Sequence, residues 1–122
     1  MAGFTPAYQK TLLDYAFPTT GATDHIAYSA GGTSEFAGLS RTAIGASGWS
    51  AATTATPSVK TNANQLTSAA VTSAGGVTHF AIFSAATGGV QKTDWQPMGT
   101  ARAVQVDDQI IWPAGALQVT LD

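Results

Sequence analysis

Two histidines, seven carboxylates and a dense population of hydroxyls are the side chains of this sequence with most to offer chemistry. Their spacing offers little. A hydrolytic triad needs a nucleophile, a base and an orienting acid within hydrogen-bond reach. His79 lies between Thr78 and Phe80 inside an apolar run, where a packed strand histidine is the simpler account. His25 follows Asp24, and neighbours on a strand point to opposite faces, so the two form no dyad. Asp24, His25 and Ser29 make a triad on paper only, and no Gly-x-Ser-x-Gly elbow precedes a helix. Glycoside hydrolysis needs two carboxylates facing across a cleft. Only Asp107 and Asp108 are neighbours in sequence, and a tight turn explains that pair.

Metals and phosphates fare no better. Two distant histidines give no ligand spacing, and the Asp107-Asp108 neighbourhood lacks the further oxygen donors that calcium requires. The absence of cysteine removes thiolate zinc, iron–sulfur clusters, disulfides and thiol catalysis. The glycine pairs at 31–32, 75–76 and 88–89 stand between strands and not ahead of helices, so they read as turns. The expectation is a protein that is not an enzyme and that holds no cofactor and no metal.

What remains is contact. Of the three tryptophans, Trp112 reads as core at a strand end, and Trp95, flanked by Asp94 and Gln96, as partly exposed. Trp49, between Gly48 and Ser50, is the most interface-prone, and Trp95 or Trp49 could stack on a sugar ring. Charged residues are 10% of the chain, against about 25% in ordinary soluble domains. Ala, Ser, Thr and Gly fill the deficit with roughly half of all residues. Lys and Glu are depleted from interface cores, so a low-charge surface of small residues is cheap to bury against another protein. An ordinary Thr-rich β-protein has the same composition. A net charge of −2 offers nothing to hold a nucleic-acid backbone, and apolar runs fall far short of the ~20 residues that span a bilayer. Residues 1–6 lack the basic and apolar regions of a secretory signal. No nucleic-acid or membrane partner is expected.

The elements that must position these residues are mainly β. One amphipathic helix is expected over residues 6–17, with Thr5 as N-cap, Pro6 at the first helical position, and Tyr8, Leu12, Leu13, Tyr15 and Ala16 as its apolar side. Gln9, Lys10 and Asp14 form the polar side, and Pro18 ends the helix. Strands are expected at 25–29, 36–44 with a bulge at Gly38, 65–71, 77–84, 91–98, 101–106, 109–112 and 117–122. Residues 49–56 read as extended, and 53–61 as a mobile, linker-like loop. The run at 77–84 is apolar on both faces, which marks a central strand. The last strand alternates Leu117, Val119 and Leu121 with polar residues, so the chain should end inside a sheet. Length and spacing indicate one domain over 1–122, an antiparallel β-sandwich or open barrel with one short N-terminal helix.

The segment Gly76-Val77-Thr78-His79-Phe80-Ala81-Ile82-Phe83-Ser84-Ala85-Ala86-Thr87-Gly88-Gly89 resembles a strand and turn of a family of small tailed-bacteriophage virion proteins. The closing stretch from Val106-Asp107-Asp108 through Trp112-Pro113-Ala114-Gly115 to the final strand is similar to that family's ending. Arg41 falls at the family's Tyr-Ala-Arg position, with Leu39-Ser40 in place of Tyr-Ala, and Ala81 stands where a glycine is usual. Members are commonly labelled tail fibre proteins, and proteins of this size also serve as head decoration (cement) proteins. The resemblance implies a virion structural protein, most simply a cement protein on the capsid surface that binds the major capsid protein and self-associates as a trimer. The alternative it implies is a tail or fibre component that meets tail proteins or a host glycan. Phe4, Trp49, Trp95 and Arg41 are the candidate interface residues. The segment before Pro6 and residues 49–61 are the parts that would reach a neighbour.

Overall fold

The computed structural model describes residues 4–55 and 57–121. Residues 1–3 of the N-terminal segment, Thr56 and the final Asp122 lie outside the described residues. The fold is mainly β with one short N-terminal helix; its ladders are antiparallel and none closes into a barrel. The chain forms two compact units. One combines residues 1–22, 44–65 and 112–122; the other combines 23–43 and 66–111.

In the first unit, α1 (Pro6–Ala16) begins where expected. Thr5 is extended and its hydroxyl accepts from the Tyr8 N–H at 3.2 Å, while Pro6 gives up no helical hydrogen bond. The buried side of the helix keeps Leu13 from the expected apolar side but is turned away from its tyrosines. Gln9 and Leu13 face inward, while Tyr8 and Tyr15 are exposed. Buried polar partners rotated the helix: Asp14, expected outside, reaches a lysine of the adjoining strand. That strand, β3 (Ser58–Thr61), occupies the stretch expected to be a mobile loop. It pairs with β8 (Gln118–Leu121) from Ser58↔Leu121 to Thr61↔Gln118. Residues 49–53 run extended beside β3, through Ser50 N–H to Thr61 O at 2.9 Å and Thr53 N–H to Val59 O at 2.9 Å. Asn62 ties the turn regions together, donating to Asn64 O and Pro113 O and accepting from the Leu117 N–H at 3.0 Å. Gly48 is buried, and a Cβ there would overlap the Ile44 carbonyl oxygen.

In the second unit, one four-stranded sheet runs β2-β1-β5-β6, with β1 (His25–Ser29), β2 (Thr42–Ala43), β5 (Gly75–Phe83) and β6 (Gln96–Val104). As its two-sided apolar pattern required, β5 is interior, in register with β1 from His25↔Phe83 to Ser29↔His79. The strand expected over 36–44 shrinks to β2. Residues 36–39 form a turn instead, with Leu39 N–H to Phe36 O, and Thr72 N–H reaching Gly38 O at 2.8 Å. The two strands expected over 91–98 and 101–106 are one edge strand, β6, which carries Pro97, as an edge tolerates. Its register on β5 breaks between Val77 and His79, where residues 98–101 stand opposite Thr78 alone. The acidic turn forms as expected: Asp108 N–H bonds Gln105 O at 3.0 Å, and Asp107 takes φ 74°. The expected strand at 65–71 is reduced to β4 (Leu66–Thr67), paired with β7 (Ile111–Trp112).

Candidate partner-contact surface

Few charges are available to begin with, and the fold turns most of them on one another. In the first unit, Asp14 Oδ1 accepts from Lys60 Nζ at 2.6 Å and from the Ala52 N–H at 2.9 Å; its Oδ2 accepts from Lys10 Nζ at 2.8 Å. The Lys60 side chain has no exposure. Burial alone would raise the Asp14 pKa, but the hydrogen bonds from Lys10, Lys60 and Ala52 and the Lys60 charge prevail and bring it down to about 2. The carboxylate is therefore a fixed anion that seats α1 on β3.

The second unit repeats the arrangement twice. Asp24, wholly buried, accepts from Lys92 Nζ at 2.6 Å. Arg41 forms a two-bond fork on Glu35 at 2.9 Å each, and donates from Nη1 to Ala85 O at 2.9 Å and Gly88 O at 2.8 Å. Its guanidinium also lies 4.0 Å over the centroid of the Phe83 ring, which meets Trp95 at 6.0 Å. Four of the five Lys and Arg residues thus sit in ion pairs; among the described residues Arg102 is the cation outside them.

Arg41 also fixes the loop between β5 and β6. Ser84 closes its neck, with N–H to Val90 O at 3.0 Å and Oγ accepting from the Val90 N–H at 2.8 Å. Below the neck, Lys92 N–H bonds Ile82 O at 2.7 Å, and Thr93 Oγ1 accepts from the Ile82 N–H at 3.0 Å. Gly88 and Gly89 take φ 63° and 72°, a left-handed path that a side chain would strain. The resulting tip, residues 86–90, is exposed and uncharged, with Val90 at its end.

The four candidate interface residues fall in different places. Phe4 is 53% exposed and its ring meets Tyr8 at 5.7 Å. Trp95 is half-buried against Phe83. Trp49 is a correction: it is 2% exposed and packs on Phe17 at 5.3 Å, so it is core of the first unit. Small flanking residues that suggested exposure instead let the chain pass close, as the crowding at Gly48 shows. Arg41 is a second correction, since its side chain is 8% exposed and its donors are spent inside the fold. Residues 49–61 likewise belong to the folded unit and do not extend from it. The exposed Tyr15 and the loop tip were missed. Helical spacing puts Tyr15 on the apolar side of the helix, and Thr-Gly-Gly reads only as a turn.

The histidines are apart and locally engaged: His25 Nδ1 lies 2.8 Å from Thr23 O, and His79 Nδ1 lies 2.7 Å from Thr78 Oγ1. Among the described residues no group of three or more His, Asp or Glu side chains is placed to hold a metal ion.

A protein-family model described as podophage GP4 fiber I protein gp80 matches residues 9–120, nearly the whole chain. No curated protein matches it.

Proposed function

The chain belongs to this podophage fibre I family, a family of tailed-phage virion structural proteins, and on that premise we propose that it is a fibre component that joins its neighbours through uncharged surface. The observation that carries the reading is the inward pairing of charge. With Lys10, Lys60, Lys92 and Arg41 bound to Asp14, Asp24 and Glu35, the charges that the described residues expose outside ion pairs are reduced to Asp94, Arg102, Asp107 and Asp108, and the rest of the exposed surface is mostly small and neutral. Burying such a surface strands few ions and fixes few long side chains, the two costs that usually keep lysine and glutamate out of interface cores. Attachment then needs area and fit, about 1,600 Å² for a standard interface, and no covalent step. The neighbours are tail proteins of the same particle.

A second reading is a cement protein on the capsid, bound to the major capsid protein. The same neutral surface and the 12.4 kDa size favour it, because a shell needs many small copies. Copy number separates the two. Quantitative mass spectrometry and immunogold labelling of purified virions should find a small fixed number of copies on the tail. Hundreds of copies over the head would establish the cement reading instead. Absence from purified particles would refute both.

A further inference from the structure

Strand β6 borders the four-stranded sheet and, among the described residues, pairs with β5 alone. The outer side of such a strand turns N–H and C=O groups to solvent, and proteins usually guard it with a proline, a bulge or a covering segment. Here Pro97 and the bulge at residues 98–101 guard the first half. Residues 102–104 lie beyond both. Arg102 stands opposite Val77, so it shares a face with Val77 and with Val104, two residues on. Those valines are buried, at 0% and 6%, whereas Arg102 is exposed. The face thus runs out at the sheet's edge into an open groove of about 290 Å³, lined by Arg102, Val104, Asp108, Gln109 and Ile111 among others. Asp108 Oδ2 accepts from the Gln105 N–H at 2.8 Å, and Gln109 Nε2 donates to Ser68 O at 3.1 Å, so both are tied to their own turn and its support. Ile111, 52% exposed, adds an apolar wall. Arg102 is left as the cation of the groove and stands outside the ion pairs of the described residues.

We propose that the outer edge of β6 and this groove receive an extended segment of a different virion protein, which adds as a further strand along residues 101–104 and sets a carboxylate side chain on Arg102. Main-chain hydrogen bonds supply the attachment, and the carboxylate on the guanidinium fixes the register. Charge selects the occupant. Among the described residues no strand of this chain contains Asp or Glu, so a strand from a second copy would bring Arg102 no anion. Pairing β6 with the β6 of another copy would add a second arginine instead. A ladder this short is weak by itself, and it holds on a particle because several copies engage together. The proposal rests on the reading that the chain joins other virion proteins.

The probes are short synthetic peptides of alternating Thr and Val, capped at both ends, with Glu, Gln or Lys at the centre. On the isotope-labelled full chain, the Glu peptide should shift the amide resonances of residues 101–104 and slow their exchange, with a Kd below about 1 mM. The Gln and Lys peptides should bind about tenfold more weakly. A Glu peptide with N-methylated amides keeps the charge but cannot pair as a strand, and it should not bind. Arg102→Glu should transfer the preference to the Lys peptide while leaving circular dichroism and melting temperature unchanged, since the side chain is exposed. Equal binding of the Glu and Gln peptides overturns the proposal, as does binding that survives N-methylation, a response outside β6 and the groove, or no response at about 5 mM. Protection of residues 101–104 that grows with protein concentration in the absence of peptide also overturns it, because the occupant is then a second copy. Copy number and labelling on virions test the fibre reading separately, so failure of the peptides leaves that reading standing.

Discussion

Replacing Asp14 and Lys60 one at a time separates a buried charge from the group that neutralises it. Asp14→Asn keeps the side chain's size and an acceptor for the Ala52 N–H, but leaves the ammonium of Lys60 fully buried without its anion. Breaking a buried pair from this side costs about 3–5 kcal/mol, a large part of the roughly 5–15 kcal/mol that holds a domain folded. Lys60→Met removes the ammonium and keeps the volume of its stem. Asp14 then remains ionised beside Lys10 with 27% of its side chain exposed, so the loss is that of one charged hydrogen bond, about 1.5–3 kcal/mol. Urea titration at pH 7, followed by tryptophan fluorescence and circular dichroism, should give a lower midpoint for Asp14→Asn than for Lys60→Met. The double variant should recover most of the Asp14→Asn loss, because nothing charged is left stranded. Equal losses, or a greater loss in Lys60→Met, would refute the claim that this ammonium depends on this carboxylate.

Acid should act on the same residue. Its pKa is about 2 in the fold against an ordinary 3.8, so the unfolded chain binds the proton first, and stability is full above about pH 4 and drains as pH falls through 2. The loss amounts to about 2 kcal/mol, read as a falling urea midpoint that Asp14→Asn no longer shows in that window. Arg41→Lys keeps the charge but not the fork or both carbonyl contacts; it should cost about 2 kcal/mol and speed amide exchange across residues 84–92. Trp49→Ala should cost about 3–5 kcal/mol as a core cavity, whereas Trp95→Ala, half-exposed, should cost less than half of that in the same titration.

Much of the sheet was legible because its signals were local. The two-sided apolar run of β5, the alternation of β8, the Asp107-Asp108 turn and the Thr5-Pro6 helix start each follow from neighbouring residues and from rules of one element. What failed depended on distant partners. Ser58-Val59-Lys60-Thr61 reads as a loop because its inward-facing members are a serine and a lysine, and only Asp14 makes that burial acceptable. The same pair turned the helix so that Leu13 stays buried but Gln9 replaces Tyr8 and Tyr15 inside, whereas an apolar count favours the two tyrosines. Arg41 drew attention through family resemblance but not through any pattern that foretold its bonds to Ala85 and Gly88. Trp49 showed how poorly small neighbours report exposure when the chain itself is packed closely.

The ladder between Ser58–Thr61 and Gln118–Leu121 has a temporal side. On a ribosome, residues 58–61 emerge long before 118–121, so β3 and its Lys60 wait without their ladder partner until residues 118–121 are made. Such late closure lengthens the time during which apolar surface meets solvent and other nascent chains. Translation speed and host chaperones therefore bear on yield through the first unit, and deleting residues 118–121 should leave that unit unable to close at all.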